Sequence, residues 1–169
     1  SSSPSIASLQ NILNELEGGV GAVCFATGMA AISGTLLSLL KAGDHIIMSQ
    51  YLFGNTRCFA DTMADLGIQI SFADVTSLDD VKALYQPNTR AVFSETVANP
   101  ATQVADVHAI GQFCKEKSLL FILDNTMTPP PLFDAKAAGA SIYGNCLSVH
   151  RAPCTVRVGI SGARPPQSI

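Results

Sequence analysis

The sequence predicts an α/β fold built on a mainly parallel, doubly wound sheet, and three observations carry that prediction. Short apolar segments alternate with segments of helical period along most of the chain, joined by links of a few residues, as in successive β-α-β units. The stretch LLFILDNTMTPPP (119–131) sets five apolar residues before Asp124 and then breaks in Asn-Thr and three prolines. A short, wholly apolar run bounded by breakers reads as a central parallel strand covered on both faces. The chain has 169 residues, 47% of them hydrophobic, which suffices for one domain with its own core.

The elements follow in order. Residues 6–17 read as a helix, with Ile6, Leu9, Ile12, Leu13 and Leu16 on one face and Gly18-Gly19 as the stop. A short strand (22–26) leads through Thr27-Gly28-Met29 into a strongly apolar helix (30–40) that ends at Lys41-Ala42-Gly43. Residues 45–48 form the next strand. The loop from Tyr51 to Thr56 opens a helix reaching about Leu66, and Gly67 stops it. A strand at 68–72 precedes a short helix to Leu84, N-capped by Ser77, with Asp79 and Asp80 in its positive first turn. A strand at 90–95 ends in Glu95-Thr96-Val97-Ala98-Asn99-Pro100, and 106–117 is helical, with Val107, Ile110, Phe113 and Cys114 at apolar spacing. The Asp124 strand closes the series.

The last portion differs in kind. All acidic residues lie at or before Asp134, no lysine follows Lys136, and from Ser141 onward the sequence shows neither period. We expect a disordered tail there, of a composition compatible with a replaced reading frame. No initiator Met is present, which suggests a fragment or a processed chain.

Composition excludes several classes. A net charge of −3 argues against nucleic acid or an anionic membrane as partner, and no apolar run reaches the roughly 18 residues of a membrane-spanning helix. The N-terminal residues lack the basic and apolar regions of a signal peptide. Five scattered cysteines without a C-x-x-C pair, and three distant histidines, argue against a metal site and for a reducing cytoplasm.

The candidate chemistry falls at strand ends. Gly28, between a strand and a helix, admits close backbone approach, and the helix N-terminus offers amides to an anion. The segment is neither a dinucleotide nor a nucleoside-triphosphate motif. Tyr51 and Phe53 offer an aromatic face to a flat ligand, with core packing as the commoner role of such rings. Glu95 and Asn99 follow another strand end, where Asn99-Pro100 equally makes a turn. Asp124 either caps the turn after it or points a carboxylate into the crevice beyond the sheet. Together these residues suit a flat, phosphorylated ring with a basic nitrogen, which the carboxylate would keep protonated.

LEGG (16–19), TGMAA (27–31), GDHII (43–47), FGNT (53–56), SETVANP (94–100) and LDNTMTPP (123–130) resemble the Cys/Met-metabolism pyridoxal-phosphate enzymes. This trans-sulfuration group includes cystathionine γ-synthase, cystathionine lyases, methionine γ-lyase and the homoserine sulfhydrylases. The resemblance covers residues 4–142, in order and with matching spacing. It implies the large domain of a fold type I, aspartate aminotransferase-like transferase, incomplete in this chain, with an aberrant tail at 143–169. Phe53, where many members carry Tyr, is closer to the O-succinylhomoserine or O-acetylhomoserine sulfhydrylases. Gly28 and Met29 would hold the cofactor phosphate, and Phe53 would stack on the ring. Asp124 would pair with the ring nitrogen, Thr126 would lie against the ring, and Asn99 near its 3′-oxygen. The match assigns no role to Glu95.

Two departures accompany these matches. The family's Schiff-base lysine lies in an S-x-T-K segment that falls here on Cys146-Leu147-Ser148-Val149, with Ser148 counted among the cofactor-binding positions. Val149 takes the lysine position and has no amine, and Lys136 belongs to the preceding segment. The family's Tyr-x-Arg segment, which reaches the neighbouring subunit's cofactor phosphate, and its C-terminal domain have no counterpart in these residues. The intact enzyme would replace the acyl group of an activated homoserine with a sulfur nucleophile. The chain as it stands is expected to be catalytically inactive. The alternative is a non-catalytic module for cofactor binding or subunit association, its apolar helices at 6–17 and 30–40 favouring a homo-oligomer.

Overall fold

The computed structural model describes residues 3–146 and the strand at 156–160. Among the described residues one sheet holds β1 (Ala22–Phe25), β2 (His45–Ser49), β3 (Gln69–Ala73), β4 (Thr89–Glu95), β5 (Leu120–Asp124), β6 (Ile142–Gly144) and β7 (Val156–Ile160). Their spatial order is β1-β7-β6-β5-β4-β2-β3. From β3 to β6 every pairing is parallel, whereas β7 runs antiparallel to β6 and β1. The connecting helices are α1 (Pro4–Glu17), α2 (Gly28–Leu39), α3 (Gly54–Asp65), α4 (Leu78–Ala83) and α5 (Val107–Glu116).

The central strands are apolar on both faces because helices cover both. Successive strand residues point to opposite sides. Ile47, Val92, Phe121 and Leu123 therefore join one buried core with Val81 of α4 and with Ile110, Phe113 and Cys114 of α5. Ile46, Met48, Ala91, Phe93 and Ile122 join the other, with Leu36 of α2 and with Ala60 and Met63 of α3. Each large side chain so buried contributes about 1.5–3 kcal/mol.

Local signals set the helix ends. Ser3 Oγ accepts the Ile6 amide at 3.3 Å, Pro4 opens α1, and Gly18 ends it in the left-handed region at φ 61°. Asp106 Oδ1 caps α5 through the Ala109 amide at 3.4 Å. Ser77 does occupy the N-cap position of α4, but its hydroxyl makes no capping bond; Asp79 and Asp80 of the first turn supply the favourable charge.

Two differences from the sequence reading concern β6 and β7. The reading placed a tail without regular structure from 143, yet β6 runs to Gly144, Tyr143 is buried, and 156–160 is a strand. Val156, Val158 and Ile160 alternate with Arg157 and Gly159, a strand period that lasts only five residues. Ser148, Val149 and the remainder of the tail lie outside the described residues. Of the two helices expected to need an external partner, α2 buries Ala31 and Leu36 within the chain, while α1 leaves Ile6, Ile12 and Leu16 exposed.

Candidate functional site

The parallel strands end on one edge of the sheet, in register: Glu95 of β4 lies beside Asp124 of β5, and Asp124 beside Gly144 of β6. Beyond this edge, between the strand ends and the N-terminus of α2, lies a cavity of about 330 Å³. That is the size of a small-molecule site, at the location where open α/β sheets bind ligands. Gly28, Met29, Phe53, Asn99, Asp124 and Thr126 all line it, joined by Glu95.

The α2 wall is built by Thr27, whose Oγ1 accepts the Ala30 amide at 3.1 Å. The amides of Gly28 and Met29, in the first turn, have no intrahelical partner, as at every helix start, and the helix dipole makes them a receptor for an anion.

The opposite wall carries the carboxylates. Asp124 Oδ1 accepts the Thr126 amide at 3.0 Å and the Thr126 hydroxyl at 2.6 Å, which closes the turn after β5. Asp124 therefore caps its turn and lines the cavity at once, with Oδ2 free of hydrogen bonds among the described residues. Thr126 Oγ1 in turn accepts the Cys146 amide at 2.8 Å. Burial pushes the Asp124 carboxyl above the usual range, opposed by the two Thr126 bonds. Glu95 is 8% exposed. Its carboxyl is pushed up to about 7, first by burial and then by the neighbouring Asp124, against the pull of the Phe53 and Asn99 amides. No Lys, Arg or His lines the cavity among the described residues. A ligand with a cationic group would supply the missing charge.

The two aromatic candidates part company. Phe53, at the N-cap of α3, is 44% exposed and faces the cavity. Tyr51 does not line it: its hydroxyl donates to Asp74 Oδ2 at 2.9 Å, and its ring packs on the core beneath α4 and α5. Asp74 follows β3, the neighbour of β2, so the tyrosine after β2 is drawn sideways to it, and that bond raises the phenol's pKa. The sequence reading also missed Thr27 and Cys146 as cavity residues. Cys146 stands two residues after β6, as Thr126 stands two after Asp124, so the β5–β6 register was the signal.

An anion receptor, an aromatic ring and a carboxylate oxygen facing the cavity make a set of groups that fits pyridoxal phosphate. The comparisons agree. The Cys/Met metabolism PLP-dependent enzyme family matches residues 1–147, and the chain belongs to that family. It is 39% identical over 142 residues to a canavanine γ-lyase of Pseudomonas canavaninivorans, covering 83% of this chain and 36% of the relative. It is 41% identical over 143 residues to an O-acetyl-L-homoserine sulfhydrylase of Corynebacterium glutamicum, covering 82% and 32%. A solved structure assigned as an O-acetylhomoserine (thiol)-lyase of Campylobacter jejuni superposes with a TM-score of 0.89 at 28% identity, covering 96% of this chain and 42% of its own. That structure contains N′-pyridoxyl-lysine-5′-monophosphate. The fold is thus that of the fold type I enzymes, and the family's cofactor is pyridoxal phosphate. The chain spans about a third of the length of the curated relatives it matches.

Proposed function

We propose that this chain is the cofactor-holding part of a trans-sulfuration enzyme, and that as it stands it holds pyridoxal phosphate without covalent attachment. One observation carries the reading: Asp124, with a free carboxylate oxygen, faces the same cavity as the first turn of α2 and the Phe53 ring. When bound, pyridoxal phosphate would supply a protonated ring able to accept electron density from an amino-acid substrate.

The chain's own residues have defined tasks. The Gly28 and Met29 amides hold the phosphate, and Phe53 covers one face of the ring and excludes water from it. Asp124 keeps the proton on the ring nitrogen, the cation offsetting the burial that raises its pKa. Thr126 fixes the orientation of Asp124, and Asn99 lies toward the 3′-oxygen. Ser148 belongs with the phosphate-holding residues, and Val149 stands where the family's lysine would be. Residues 4–142 make up the cofactor-binding part. The parent activity is replacement of the acyl group of an activated homoserine by sulfur, in a cytoplasmic homo-oligomer. Among the described residues no helix is long and apolar enough to cross a membrane.

Absorbance titration with pyridoxal phosphate, comparing the wild-type chain with Asp124→Asn, tests the reading. Loss of a charge-assisted bond of about 1.5–3 kcal/mol lowers affinity roughly 10- to 100-fold. Equal affinities for the two chains would overturn it.

A further inference from the structure

The motifs leave Glu95 without a role, and the structure gives it an unusual set of partners. Its carboxyl sits at the end of β4, nine-tenths buried, with no basic side chain on the cavity wall among the described residues. Oε1 accepts the backbone amide of Phe53 at 2.7 Å, from a loop 42 residues earlier in the chain. Oε2 accepts the backbone amide of Asn99 at 3.4 Å, from the turn after β4. A buried carboxyl requires hydrogen-bond partners. Among the described residues Glu95 finds them in the backbones of the two loops that carry Phe53 and Asn99.

At the Phe53 end the backbone amide is the group that Glu95 holds, while the Phe53 carbonyl accepts the Arg57 amide at 3.0 Å as α3 begins. Phe53 is the N-cap of α3 and makes no side-chain capping bond. Its ring projects over the cavity with 44% of its surface exposed. The Tyr51 hydroxyl ties the start of that loop to Asp74, and the Glu95 bond ties its cavity end at the Phe53 amide. Through its second oxygen the same carboxyl ties the Asn99 turn, so one side chain sets the spacing of the two loops across the cavity mouth.

We propose that Glu95 is a positioning residue that clamps the Phe53 loop to the Asn99 turn, fixing the ring platform against the residue facing the ligand's oxygen. The ligand side of this inference rests on the cofactor reading above, whereas the clamp itself does not. The test has two arms. Amide hydrogen exchange is followed in the free chain for wild type, Glu95→Ala and Glu95→Gln. Equilibrium titration uses 4′-deoxypyridoxine 5′-phosphate, which has ring and phosphate but no aldehyde and so needs no lysine.

Exchange at Phe53 and Asn99 should accelerate on the order of tenfold or more in Glu95→Ala, as expected for loss of a bond to a charged acceptor. In Glu95→Gln the single amide oxygen keeps the shorter bond, so Phe53 should stay protected while Asn99 loses protection. Unchanged protection in Val92 and Phe93 reports that the fold is intact; should the alanine variant fail to fold, the glutamine variant carries the test. Probe affinity should fall in Glu95→Ala and recover partly in Glu95→Gln. Unchanged exchange at both amides in both variants would overturn the clamp. Faster exchange with undiminished probe affinity would overturn the positioning role. A wild-type chain that ignores the probe while its variants show the exchange pattern would sink the cofactor reading and leave the clamp standing.

Discussion

Replacing Gly111 by alanine tests how the sheet edge is held in place. Gly111 is buried in the middle of α5, where an exposed Gly→Ala change would stabilise by about 1 kcal/mol. Here a Cβ would stand 2.1 Å from the Ala138 carbonyl oxygen and 3.1 Å from Gly139 Cα. Both atoms are backbone, in a turn that runs straight into β6, and Gly139 itself sits at φ 92°. Ordinary van der Waals contact for a Cβ begins at 3.4 Å, so helix and turn must part by roughly 1 Å. Overpacking of this kind costs about 1–3 kcal/mol and sometimes more. Because both obstructing atoms are backbone, the cost lies at the upper end, about 3 kcal/mol, and the helix gain of about 1 kcal/mol leaves a net loss of about 2 kcal/mol. At about 2–4 °C per kcal/mol for a chain of this size, Tm should fall by roughly 4–8 °C in a thermal melt followed by circular dichroism. Gly54→Ala serves as the control: nothing lies within 4 Å of its Cβ position, so its Tm should hold or rise slightly. A Gly111→Ala chain melting at or above the wild-type temperature would refute the packing of α5 on the 138–139 turn.

Further predictions concern the site. Glu95, raised to about 7 from 4.5, binds more protons folded than unfolded between those values, so its contribution falls as pH rises through that window. The loss reaches about 3 kcal/mol above pH 7; Asp124, also raised, has the same sign. His45, lowered by burial, has the opposite sign and weakens the fold as pH drops through 6.5 and below. Urea denaturation between pH 5 and 8 should therefore show a flatter slope for Glu95→Gln than for wild type, and identical slopes would count against the buried, uncompensated carboxyl. Thr27→Ala removes the cap of α2 and should cost about 1 kcal/mol in the same measurement, with faster exchange of the Ala30 amide. Phe121→Ala, at a fully buried position in the central sheet, should cost about 3–5 kcal/mol and unfold the site with the core.

Much of the molecule was legible because its signals are local. The strands at 45–49, 89–95 and 120–124 declare themselves as apolar runs with breakers at their ends, and Gly18 and Asp106 mark helix boundaries through their own backbone or side chain. The ordered motifs at strand ends placed Gly28, Met29, Phe53, Asn99, Asp124 and Thr126 together around one cavity. What stayed hidden depends on partners distant in sequence. The direction of the Tyr51 ring was set by Asp74, a residue whose proximity follows only from the β2–β3 pairing. The role of Glu95 lies in two backbone amides, which carry no sequence signature at all. β6 and β7 are three and five residues long, too short for a period to stand out, and the sheet recruits them by pairing.

The proposal that pyridoxal phosphate is held here by contacts alone has a decisive experiment. The direct test is to saturate the chain with pyridoxal phosphate, reduce with borohydride, and map the peptides. The chain has five lysines, Lys41, Lys82, Lys115, Lys117 and Lys136, and none of them lines the cavity. Non-covalent binding gives cofactor that dialyses away and no lysine modified stoichiometrically. One lysine carrying a full equivalent of reduced pyridoxyl group would contradict it.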